Sequence, residues 1–190
     1  MSAKRYLPFL FLTISLLASC KKKETVQEEP TIDFGPPPGV QYRTGQNVPN
    51  GGDPTDWTPD GAWNDREKQF FSNLNLSLDA PQQSGTWYPS VYPNPSAANS
   101  TNSGGGPAGF TFLVTSGPSR PAPAGAHIAY IIVNSRYQEL KRGDVAFTNS
   151  TSVPFAANSL AAGALYRLYL VCYVPGQQVY YRTHGDIQVE

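Results

Sequence analysis

From Phe110 onward the chain carries one apolar, aromatic and β-branched run after another, each of strand length, with no helical period among them. Runs of this kind bury one face at a period of two, and a run that is apolar at successive positions buries both. Residues 126–133, with Ile128, Tyr130, Ile131, Ile132 and Val133, are of the second kind and are expected at the centre of a sheet. Residues 165–174 form the strongest strand signal, and 110–115 another. Residues 137–141 are expected to turn at Arg142-Gly143-Asp144 and pair with 145–147 as a hairpin. Pro175-Gly176 turns the chain into 179–182, and 187–189 closes the set. Closely spaced strands without intervening helices exclude a parallel α/β sheet. They predict a mainly β fold, a single Ig-like, Greek-key antiparallel β-sandwich with one short N-terminal helix.

That helix is predicted upstream of the strands. Thr58 reads as an N-cap, Pro59 as the first helical residue, and Asp60 as an acid at the positive end of the helix. Trp63, Glu67, Phe70 and Leu74 then share one face, which predicts a helix over 59–72. Leu74, Leu76 and Leu78 alternate with polar residues, as in a half-buried strand. Residues 87–96 are rich in proline and aromatics and read as extended, and 97–109 form a polar, glycine-rich loop. The loop has no lysine and no following helix, so it lacks the parts of a phosphate cradle.

The N-terminus reads as an address. Lys4 and Arg5 precede an apolar run over 6–18, which is shorter than the ~20 residues of a spanning helix and fits a signal-peptide core. The run ends Leu17-Ala18-Ser19-Cys20, which resembles the lipobox of bacterial lipoproteins. The resemblance implies peptidase recognition of Leu17, Ala18 and Ser19, cleavage after residue 19, and acylation of the Cys20 thiol. Two or three acyl chains hold a protein stably, because each buried CH₂ contributes about 0.8 kcal/mol. Residues 20–50, with Lys21-Lys22-Lys23 and Gly35-Pro36-Pro37-Pro38-Gly39, are expected to be a flexible tether, leaving 51–190 as the domain. Lys21 after the cysteine, where inner-membrane retention uses Asp, points to the outer membrane by resemblance to the enteric sorting rule.

Two further resemblances bear on the second half. Leu160, Gly163 and Tyr166 just before the strongest strand look like the tyrosine corner of Greek-key sandwiches, whose hydroxyl bonds to upstream backbone. The order Tyr92-Pro93-Asn94-Pro95-Ser96, then 110–115, 128–135 and 159–166, is similar to the C-terminal domain that addresses Bacteroidetes proteins to type IX secretion. Over residues 92–190 that resemblance implies a seven-stranded sandwich, a Bacteroidetes source and a sorting role.

Composition narrows the chemistry. Fourteen basic side chains against fourteen acidic ones give no electrostatic footprint for nucleic acid. Two cysteines cannot staple a scaffold, and Cys172 reads as a small buried hydrophobe. His127 reads as a strand-edge residue, and Gly185 predicts a turn or bulge separating His184 from Asp186. No nucleophile elbow accompanies these histidines, and no His/Cys/Asp cluster has metal-ligand spacing. Asp53, Asp56 and Asp60 are expected to cap and solvate. The resulting expectation is a non-catalytic outer-membrane lipoprotein without a cofactor, whose sandwich has a structural or binding role toward a protein or glycan partner. One alternative is a glycan-binding module stacking sugars on exposed Trp57, Trp87, Tyr88 and Tyr92, and another is a type IX sorting domain.

Overall fold

The computed structural model describes residues 29–37, 39–83, 87–97, 109–117, 120–156 and 160–190. The signal segment, the lipobox and most of the 97–109 loop lie outside the described residues. Two antiparallel sheets pack face to face. One has the order β3 (Trp87–Tyr92), β4 (Gly109–Ser116), β7 (Ser150–Ala156). The other has the order β6 (Glu139–Ala146), β5 (His127–Val133), β8 (Leu165–Tyr173), β9 (Tyr180–Gln188). The chain crosses between sheets after β4, after β6 and again after β7, which gives Greek-key connectivity and a mainly β sandwich.

Strand parity explains the core. Phe110, Phe112 and Val114 of β4 meet Ile128, Tyr130 and Ile132 of β5 and Leu168, Leu170 and Cys172 of β8 between the sheets. Each such fully buried side chain contributes about 1.5–3 kcal/mol relative to exposure. The opposite parity, Ala129, Ile131, Val133, Tyr169, Val171 and Tyr173, faces outward yet is buried too, under Ile32, Trp63, Phe71, Leu74 and Leu78. A third layer therefore covers the four-stranded sheet, which is why β5 and β8 are nearly continuous in apolar character. The Tyr166 hydroxyl accepts the Ala161 N–H at 2.7 Å, joining the start of β8 to upstream backbone.

Several expectations are corrected. Ordered packing begins at Ile32 rather than at 51: Ile32 donates to the Ser135 carbonyl, Val40 is buried, and β1 (Gln41–Arg43) pairs with β2 (Pro49–Gly52). The helix is α1 (Asp65–Gln69), not 59–72. Asn64 caps it, with Asn64 Oδ1 accepting the Glu67 N–H and Glu67 Oε2 accepting the Asn64 N–H, a reciprocal capping box. Residues 57–60 instead run along β9, with the Trp57 and Asp60 N–H groups donating to its carbonyls. Residues 74–78 form no strand; a 3-10 turn over Ser72–Leu74 ends at Asn75 in the left-handed region, and Leu74 and Leu78 drop onto the sheet.

No turn occurs at 142–144, since β6 runs unbroken through Gly143. A side chain there would overlap the Tyr130 ring, which lies across the strand. Gly185 likewise makes no bulge; it sits in register opposite Leu168, and the Trp57 indole occupies the space above it. β7, with Thr151, Val153 and Phe155 alternating with Ser152 and Pro154, is a strand the sequence reading left unassigned.

Candidate functional site

Strand β9 is the edge of the four-stranded sheet. An open edge templates pairing with other chains, so natural sheets cover it. Here residues 53–63 form a strap along β9. The Trp57 N–H donates to the His184 carbonyl (2.9 Å) and the Asp60 N–H to the Arg182 carbonyl (3.1 Å). Side chains stand in for a neighbouring strand elsewhere. Asp56 Oδ1 accepts the Asp186 N–H (3.1 Å), and Gln82 Oε1 accepts the Arg182 N–H (2.9 Å). Asn94 Oδ1 accepts the Gln188 N–H (3.1 Å), while its Nδ2 donates to the carbonyls of Asp186 (2.8 Å) and Gln41 (3.0 Å).

The strap is clipped down by charge. His184 Nδ1 lies 2.8 Å from Asp60, whose Oδ2 also accepts the Trp63 indole N–H at 2.5 Å. Burial alone would lower the His184 pKa, but the Asp60 hydrogen bond and charge outweigh it and leave it raised. Asp56 is almost fully buried and is not the solvated carboxylate expected. Its desolvation, with the Asp186 charge nearby, pushes its pKa up to about 7 against the pull of the Gln41 and Asp186 N–H donors. Asp186 in turn receives two hydrogen bonds at 2.7 Å from the Arg167 guanidinium. The Asp53 carboxylate makes a local turn with Thr55, while its N–H donates to the Val40 carbonyl (2.8 Å). Each histidine thus has a carboxylate partner remote in sequence, His184 with Asp60 and His127 with Asp144 at 3.0 Å.

A cleft of about 350 Å³ opens where the strap passes β3. Gln41, Arg43, Trp57, Trp87, Tyr88 and Tyr181 line it, with Pro54 and Pro59 adding strap surface. Three of the four aromatics singled out in the sequence therefore meet in one place. They do not form the expected exposed stacking row. Trp57 is 7% and Trp87 2% exposed, because both belong to the core between the sheets. Tyr88 is 54% exposed, and Tyr92 is half-buried at the end of β3, outside the cleft. Sequence reasoning missed Arg43 and Gln41, which it placed in the tether. Asp53, Asp56 and Asp60, interleaved with Trp57 and Trp63, were the available signal for a specialised segment.

Among the described residues no group of three His, Cys, Asp or Glu is arranged to hold a metal ion, and no helix is long and apolar enough to cross a membrane. Cys172 is a free thiol, fully buried in β8, and its pKa is raised by that burial. Leu160 packs against the core beside Ala164, and Gly163 takes a positive φ of 75° at the turn into β8. Comparison with protein-family models, with curated proteins and with solved structures returns no match.

Proposed function

We propose that this chain is a lipoprotein of the bacterial outer membrane, held by an acylated Cys20 and carrying a non-catalytic binding sandwich. The observation that carries the anchor is the sequence Leu17-Ala18-Ser19-Cys20 at the end of a short apolar run behind Lys4 and Arg5. A non-catalytic role is supported by how the ionisable groups are used. His184 and Asp60 clip the strap, Arg167 and Asp186 satisfy one another, and Cys172 is sealed in the core. The cleft between strap and β3 is the concave, aromatic-lined surface suited to a ligand.

Expression of the full chain and of Cys20→Ser in a Gram-negative host, followed by membrane fractionation, tests this reading. The wild-type chain is expected in the outer-membrane fraction and the variant in the soluble fraction. A variant that stays with the membrane contradicts the anchor. A Bacteroidetes source and a sorting role for 92–190 form the second reading, favoured by the Tyr92-Pro93-Asn94-Pro95 motif. Cleavage near Tyr92 in cells would favour it.

A further inference from the structure

We propose that the cleft between the strap and β3 binds a saccharide, taking one sugar ring against Tyr88 with its oxygens toward Arg43. The proposal rests on the binding role given above and names its ligand class.

Size comes first. At about 350 Å³ the cleft lies at the small end of ligand pockets, which run from roughly 300 to 1,000 Å³, so it suits one ring rather than a chain. Its surface has two characters. Tyr88 presents an exposed aromatic side chain at the mouth, and Pro54 and Pro59 extend the apolar wall. A sugar ring has a matching apolar C–H face.

The second character is a fixed hydrogen-bond donor, Arg43. Arg43 is held in place by Gln41 Oε1 (2.7 Å) and by Asn47 (3.0 and 3.1 Å), which fixes its guanidinium at the cleft wall. Each Asp56 oxygen already accepts one backbone N–H. A purely aliphatic ligand would leave the Arg43 guanidinium unmet, whereas an oxygen-bearing ring meets both Tyr88 and Arg43.

A backbone observation agrees. Trp57 has φ +67°, a conformation that bulky residues rarely adopt. Such outliers gather at ligand clamps, where surrounding structure holds them in place. Here the strap's bonds to β9 hold it: the Trp57 N–H on the His184 carbonyl and the Trp57 carbonyl under the Tyr181 hydroxyl.

The test is saturation-transfer NMR on the full-length chain in detergent, with glucose, galactose, N-acetylglucosamine and glucuronate as separate probes. Transfer to the ring protons of at least one sugar is expected. Tyr88→Ala should weaken that sugar's binding about tenfold or more while the chain still unfolds cooperatively, since the side chain is 54% exposed. Leu140→Ala, an exposed residue of β6 away from the cleft, should bind as wild type. A signal confined to glucuronate assigns Arg43 to a carboxylate, and a signal from neutral sugars assigns recognition to ring shape; both support the site. No transfer from any of the four, or transfer untouched by Tyr88→Ala, overturns it. Fractionation of the same cells separates the two claims. Membrane retention without sugar binding removes this site alone, and sugar binding by a chain that never reaches the membrane removes the anchor alone.

Discussion

Asp60→Asn removes the charge at the centre of the strap while keeping the side-chain volume. In the wild-type chain this carboxylate receives the His184 ring and the Trp63 indole, and its own N–H holds the Arg182 carbonyl. Hydrogen bonds to charged groups contribute about 1.5–3 kcal/mol, and the amide retains part of the geometry, so the expected loss is about 2 kcal/mol where His184 is protonated. For a chain of this size that corresponds to about 4–8 °C in Tm. The pH dependence is the sharper readout. The folded pKa of His184 is raised, so its contribution is complete below the unfolded value of about 6.5 and fades as pH rises through the folded value. Asp56, also raised, shifts stability in the same direction between about 3.8 and about 7. Asp56, Asp186 and Arg167 remain in the variant, so the difference between the two proteins isolates the His184–Asp60 pair. Thermal melts by near-UV circular dichroism at about pH 5.5 and about pH 8.5 should show a large Tm gap at the acidic end and a smaller one at the basic end. A gap that is constant with pH, or that widens on the basic side, refutes the clip.

The remaining perturbations probe the same assembly. Gly185→Ala places a methyl group inside the Trp57 ring, and overpacking of this kind costs about 1–3 kcal/mol. The strap should lift, with a red shift in tryptophan emission; an unshifted spectrum contradicts the close approach. Asn94→Ala removes three hydrogen bonds that join β9 to β1, at about 1 kcal/mol each, and should lower Tm by roughly 6–12 °C. A loss of a degree or less means that water replaces the amide. Tyr166→Phe withdraws the acceptor of the Ala161 N–H and should cost about 1 kcal/mol in urea unfolding, with an unchanged slope. An unchanged midpoint removes the tyrosine from the stabilising contacts.

The parts of this fold that were legible in the sequence are those whose causes are local. β5 and β8 read as central strands because burial on both faces leaves Ile128 to Val133 and Leu168 to Val174 almost without polar residues. The strand β7 was illegible for the opposite reason: only one of its faces touches the core, and Ser150, Ser152, Pro154 and Ala156 occupy the other. Gly143 and Gly185 carry the local signature of turns, but what each accommodates is an aromatic ring from elsewhere, Tyr130 and Trp57. Thr58-Pro59-Asp60 has the residues of a helix start. The segment instead lies along β9, more than 120 positions away, with the Trp57 and Asp60 N–H groups on its carbonyls, and the helix begins at the Asn64–Glu67 capping box. The cleft shows the same division. Trp57, Trp87 and Tyr88 stand out in the sequence as aromatics outside the strand periods, and they do converge. The burial of Trp57 and Trp87 between the sheets is set by long-range packing, and the arrival of Arg43 and Gln41 from the supposed tether depends on β1 docking beside Asn94.

The lipid anchor is the claim on which the functional account turns, and the intact mass of the chain extracted from membranes tests it most directly. The account predicts a first residue of Cys20 bearing a diacylglyceryl group on its sulfur, with residues 1–19 removed. A chain beginning at any other residue, or one with an unmodified Cys20 thiol, would contradict it.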